Sequence, residues 1–238
     1  MKKAGETTRK MAQQRRKTTN LILLIVSMIG VVLFILINNW QTLGISAGTV
    51  LVLLLLMRML PEIIDKPIDR RIKMERRADR GAEAEELVEE LLGDLDDNFE
   101  ILHDISSPYG NIDHIVIAAS GSIFLIETKA HGGQVEINNN QLLVNGKYPE
   151  KNFIAQTLKN SYWLRGEIEK VIGQKSWITP MLVFTNAFVQ MGQMIKGVHI
   201  LDKKFLLPTL QRVSRGNQNM SKIWEKHDEN LEQLSGSS

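Results

Sequence analysis

Residues 18–57 carry no charge, and apolar positions there are nearly continuous. A straight helix of that length would reach about 60 Å, roughly twice the hydrocarbon thickness of a bilayer, so the run must fold back on itself. Asn38-Asn39-Trp40-Gln41-Thr42 interrupts it, which predicts a turn between helices over about 21–37 and 43–60, with Trp40 at a membrane interface. Gly44, Ser46 and Gly48 are small enough to let two helices approach closely. Pro61 and Pro67 are predicted to stop the second helix.

Beyond residue 80 the pattern shortens. Ala84, Leu87, Val88, Leu91, Leu92 and Leu95 share one face of a helix over 82–95. Residues 99–105 read as a strand, and 111–118 with 122–129 as a hairpin. The segment 134–148, with Asn145-Gly146, reads as a smaller hairpin. A long helix follows over 152–172, then strands over 178–185 and 198–201. Short helices are predicted after Asp202 and over 222–234. The order α-β-β-β-α-β, with strands apolar on both faces, predicts an α/β fold whose sheet is covered by helices on both sides.

Charge divides the chain in the same place. Lys2, Lys3, Arg9, Lys10, Arg15, Arg16 and Lys17 precede the first apolar helix; Arg58, Lys66, Arg70, Arg71, Lys73, Arg76, Arg77 and Arg80 follow the second. By the positive-inside rule both flanks are cytoplasmic, which predicts a two-span membrane protein with its soluble part inside the cell. A cleaved secretory signal fits poorly, because a second apolar segment follows the first at once. The absence of Cys agrees with a reducing compartment. Basic side chains beside the bilayer are predicted to meet anionic lipid. The chain is thus divided into a basic tail (1–20), two transmembrane helices (21–60), a charged connector (61–79), a soluble domain (80–213) and a helical tail (214–238). Residues 81–238 hold 14 Lys plus Arg against 21 Asp plus Glu, a net of −7. Nucleic-acid contact in so acidic a domain needs local placement of basic groups or a metal ion.

The candidate chemistry lies in the 111–129 hairpin. With a three-residue loop, Ala119-Ser120-Gly121, and Gly121 in the left-handed region, Ala118 opposes Ser122 and Asp113 stands across from Glu127. Alternation puts Lys129 on the same face. Two carboxylates and an ammonium converging in this way fit a Mg²⁺ site, with Lys129 holding or deprotonating the attacking water. They fit a structural ion triad equally well. On the first helix, Glu85 is the acidic residue nearest the apolar stripe. His103 and His114 read as structural, His114 pointing away from the site. His131, before Gly132-Gly133, is predicted to lie in a mobile loop.

Four motifs carry a resemblance. Gly-x-x-Ala-Glu at 81–85, Ile112-Asp113-His114-Ile115-Val116, Ile126-Glu127-Thr128-Lys129 and Asn152-Phe153-Ile154-Ala155-Gln156 resemble the nuclease-related domain (NERD) of the PD-(D/E)xK nuclease superfamily, over about 80–205. Ala84 stands where a second Gly is common in that family, and Phe153 where Pro is common. The resemblance implies a restriction-endonuclease-like mixed sheet flanked by helices. It also implies metal-dependent hydrolysis of nucleic acid, DNA ahead of RNA. Its implied metal ligands are Glu85, Asp113 and Glu127, for Mg²⁺ or Mn²⁺. Lys129 becomes the base or charge stabiliser, and Gln156 a positioning residue. A non-catalytic binding module of the same fold is the rival.

Overall fold

The structure is a computed structural model describing residues 3, 5–39, 44, 46–190 and 192–215. It divides into two compact units, Thr8–Asp79 and the remainder.

The first unit is built from two long helices. Helix α1 runs Glu6–Asn38, so the basic tail is helical and continuous with the apolar stretch; nothing between Glu6 and Met28 is Gly or Pro. Helix α2 runs Ala47–Leu92, straight through Pro61 and Pro67 and on into the second unit. The expected break is absent. An interior proline removes one N–H and crowds the carbonyl four residues back, at a cost of about 3 kcal/mol, yet the backbone stays helical through both positions. Thr19 Oγ1 donates to Glu75 Oε1 at 2.6 Å, and Arg16 Nη2 lies 2.9 Å from Asp79 Oδ2. Half-buried positions recur at Ile22, Val26, Gly30 and Leu33 on α1 and at Ile68, Ile72, Glu75 and Asp79 on α2, the three-to-four spacing of a helix seam. Among the described residues one helix, Glu6–Asn38, is long and apolar enough to cross a membrane by length and composition. Among the described residues Gly44 and Gly48 make no close approach: a Cβ on the first would meet nothing within 4 Å, and on the second only Ser46 Oγ at 3.8 Å. Ser46 instead accepts from Thr49 N at the start of α2. The expected turn residues Trp40, Gln41 and Thr42 lie outside the described residues, as does the expected helix over 222–234.

The second unit is a seven-stranded mixed sheet covered on both faces. Strands β1 (Phe99–Ile105), β2 (Ile112–Ala118) and β3 (Ile123–Asn138) form an antiparallel meander, and β4 (Gln141–Val144) pairs with the far end of β3. Helix α3 (Phe153–Ile172) crosses to β5 (Ile178–Val189), which lies parallel to β3; β7 (Val198–Asp202) lies parallel to β5 and pairs with the short β6 (Gln193–Ile195). The last described helix is α4 (Leu206–Arg215). On one face Val88 and Leu92 of α2, with Leu206 and Leu210 of α4, pack on Val116, Phe124 and Ile126. On the other, Leu164 and Ile168 of α3 pack on Ile115, Ile117 and Leu125. Helix α2 ends at Leu92, three residues earlier than its apolar pattern suggests, because Gly93 follows.

One expectation about the sheet is overturned. Residues 131–133 are not a loop: β3 continues for 16 residues, with a register shift between Lys129 and Gly132 where it runs beside β5. Gly132-Gly133 reads locally as a breaker, but parallel pairing of Gly132 with Asn186 and Gly133 with Ala187 holds it extended. Gly133 has φ 98°, and Asn145 Oδ1 accepts from Gln134 N at 2.9 Å across the spot where a Cβ would stand.

Candidate functional site

The geometry starts with a turn. Gly121 has φ 83° and donates to Ala118 O at 2.7 Å, while Ala118 N donates to Ser122 O at 2.9 Å. This is the three-residue loop with a left-handed glycine, and it sets the pairs Ile117↔Ile123 through His114↔Ile126. One step past the last pair, Asp113 and Glu127 face each other. There the strands open, and the Asp113 carboxylate bridges the gap, Oδ2 accepting from Thr128 N at 2.6 Å.

Glu127 is 2% exposed. Its Oε1 accepts from Lys129 Nζ at 2.7 Å, whereas its Oε2 is buried with no hydrogen-bond partner. Burial drives the Asp113 carboxyl well above the usual aspartate range, and the charges of Glu127 and Glu85 push it further the same way. Burial works against the Lys129 ammonium, but Glu127 and Asp113, with Glu85 behind them, raise its pKa above that of an ordinary lysine. These four groups feel one another's charge, and carboxylates outnumber the cation three to one.

Glu85 reaches this cluster from the opposite side. Its helix covers the Val116–Ile126 face, whereas Asp113, Glu127 and Lys129 alternate onto the α3 face. Gln156 lies in the first turn of α3, which Asn152 caps by accepting from Ala155 N at 3.0 Å. A Cβ on Gly110 would stand 3.6 Å from Gln156 Nε2. Gln156 therefore lies against the loop leading into Asp113, a loop also tied to α3 by Ser107 Oγ donating to Asn160 Oδ1 at 2.7 Å.

Two neighbours were not legible beforehand. The Phe153 ring centroid lies 5.1 Å from Lys129 Nζ and 5.2 Å from the His131 ring, so the residue that departs from the family's proline walls the site and joins Lys129 to His131. Asp104, with φ 54° and 3% exposure, accepts from Thr7 N at 3.1 Å and from Asn111 Nδ2 at 2.6 Å. Its carboxylate is committed to the start of α1 and the loop before β2. No sequence pattern announces a left-handed aspartate inside a strand.

His114 occupies the reverse face. It is fully buried, with its Nδ1 2.9 Å from His103 Nδ1 in an edge-on pair. Burial, helped by His103, takes its pKa down to about 3, and burial lowers that of His103 as well.

The donor set fits a hard divalent cation, which takes one or two carboxylates with water and phosphate completing its shell. The buried, unpartnered Glu127 Oε2 is the most direct sign of that fit. Among the described residues no three His, Asp or Glu side chains are close enough to hold a metal as they stand. Asp113 and Glu127 are thus the pair available for direct coordination, with Glu85 near enough to add charge.

Residues 80–185 match the family model of the nuclease-related domain, NERD. The matched segment contains Glu85, Asp113, Glu127, Lys129 and Gln156. No curated protein and no solved structure matches the chain.

Proposed function

We propose that this nuclease-related domain is a divalent-metal-dependent nuclease that hydrolyses nucleic-acid phosphodiester bonds at the cytoplasmic face of a membrane. The observation that carries the reading is the opened hairpin: Asp113 opposite Glu127, one Glu127 oxygen on Lys129 and the other buried without a partner. Monodentate pairing with Lys129 leaves that second oxygen desolvated, at a cost of about 1–3 kcal/mol or more that a bound cation would offset.

Asp113 and Glu127 would hold Mg²⁺ or Mn²⁺, supported by Glu85, and the ion when bound supplies a Lewis acid and an activated water. The chain's own groups do the rest. Lys129 is held charged by its carboxylate neighbours, which suits it to stabilise negative charge growing on the scissile phosphate rather than to accept a proton. Phe153 limits the swing of the Lys129 ammonium. Gln156 positions the loop that delivers Asp113.

Membrane attachment is proposed through the apolar stretch of α1 and the apolar start of α2. Two spans return the chain to the side it left, as the basic flanks require. A Cys placed at Thr42 should react with a membrane-impermeant reagent in intact cells while a Cys at Ser107 does not; labelling at Ser107 would overturn this orientation.

The second reading, a non-catalytic binding module, draws on the Lys129–Glu127 pair, which already gives the site one internal cation. Purified full-length protein in detergent decides between them. We expect cleavage of DNA or RNA with Mg²⁺ or Mn²⁺ and none with chelator. No cleavage of single-stranded DNA, duplex DNA or RNA with either metal would favour the module.

A further inference from the structure

Beside the carboxylate cluster lies a cavity of about 420 Å³. Phe153 forms part of its wall while its ring also contacts Lys129, so cavity and site share one side chain. Two features of the lining, its charge and its backbone, are out of character with the rest of the domain, and a third suits a ligand. Lys151 and Lys196 outnumber the single acid, Glu150, in a domain whose overall charge is negative. Tyr148 contributes a ring that is 68% exposed and so open to a ligand. Lys196 adopts φ 51° in the tight turn between β6 and β7, a conformation that Asn, Asp and Gly enter far more readily. Asn140, in the left-handed turn between β3 and β4, lines the same cavity. Both turns are anchored by strand pairs on either side, so the lysine and the polar rim are presented by rigid backbone.

A basic recess with an exposed aromatic is what an unpaired nucleotide needs, because stacking is tolerant of base identity and lysines follow the phosphates. We propose that this cavity docks a single-stranded segment of nucleic acid beside the carboxylates. One base stacks on Tyr148, and the flanking phosphates lie against Lys151 and Lys196. Paired bases present no free face to Tyr148, so a strand with unpaired nucleotides is the preferred substrate class. The proposal rests on the nuclease reading for its purpose, but its test does not depend on cleavage.

The test is fluorescence anisotropy with full-length protein in detergent, in chelator so that no hydrolysis occurs. The probes are labelled single-stranded DNA, single-stranded RNA and blunt duplex. We expect both single strands to bind more tightly than the duplex. Tyr148→Ala should weaken single-strand binding at least about fivefold, the lower end of one lost stacking contact, and Tyr148→Phe should restore it. Lys151→Glu with Lys196→Glu should reduce the salt slope of log K by about 1.4, two phosphate contacts on a single strand. Trp177→Ala is the control: its side chain is 70% exposed but sits at the start of β5, and Lys129 pairs further along at Phe184. Unchanged affinity in the Tyr148 and lysine variants, equal or tighter binding of duplex, or binding of mononucleotides with no gain for a strand would each overturn the proposal. Loss of cleavage with these binding results intact would remove the nuclease reading and leave the docking site standing.

Discussion

His114 and Asp113 are adjacent on one strand and point to opposite faces of the sheet, His114 fully buried and Asp113 half-buried. The histidine side solves burial by neutrality. His114 and His103 share a proton-mediated contact, and burial holds both in the uncharged form. The aspartate side gathers ionisable groups instead: Asp113, Glu127 and Lys129 lie on it, and the charge of Glu85 reaches it from the other face. Each side leaves one buried atom unmet, His114 Nε2 on the first and Glu127 Oε2 on the second. Neighbouring residues of one strand thus reach opposite electrostatic outcomes. A sheet that tolerates a neutral polar pair on one face could tolerate it on the other.

The largest effect expected is on activity. Lys129→Met should reduce metal-dependent cleavage by about 10²- to 10⁴-fold, the range of a lost positioned catalytic group. It should also lower the melting temperature in chelator, because one partner of a buried ion pair is removed, a change worth about 3–5 kcal/mol. Added Mg²⁺ should recover much of that loss if the carboxylates accept a cation. A melting temperature that Mg²⁺ leaves unmoved, together with full activity, would erase the contrast between the faces.

Next comes the pH dependence of the histidine face. The folded-state pKa of His114 lies at about 3, below its unfolded value near 6.5. Neutral His114 therefore supports the fold fully above pH 6.5, and that support declines as pH falls toward 3. The decline is about 1.4 kcal/mol for each pH unit. Urea unfolding of wild type and of a His103→Leu, His114→Leu double variant between pH 7 and 4.5 should diverge by this slope. Parallel curves would show that the pair is not neutral in the fold.

The smallest effect expected on stability concerns Asp113. Its carboxyl is raised above the unfolded value, so the group favours the fold at low pH and loses that contribution as pH rises through the folded pKa. Asp113→Asn should thus raise the melting temperature by a few degrees at neutral pH in chelator, while abolishing cleavage. No rise, or a fall, would mean that the Thr128 N contact outweighs the repulsion.

The hairpin was legible because its determinants are local. Ala119-Ser120-Gly121 fixes a loop length, loop length fixes register, and register decides that Asp113 meets Glu127. The cap of α3 was legible for the same reason, since Asn152 needs only Ala155 three residues on. Tertiary pairing defeated the rest. Gly132-Gly133 is held extended by β5, and α2 continues through Pro61 and Pro67. Phe153 meets Lys129 only because α3 folds back across the sheet. Glu85 was identified from its place beside the apolar stripe, but not the face from which it arrives.

The unbroken path of α2 bears on where the chain can be cut. A soluble fragment beginning at Arg80, where the family match starts, would sever α2 inside its run and leave Glu85 five residues from a new end, in the part of a helix that frays. It would also discard Thr7, leaving the buried Asp104 carboxylate short of two of its donors. Poor behaviour of such a fragment would then report on the scissors rather than on the domain.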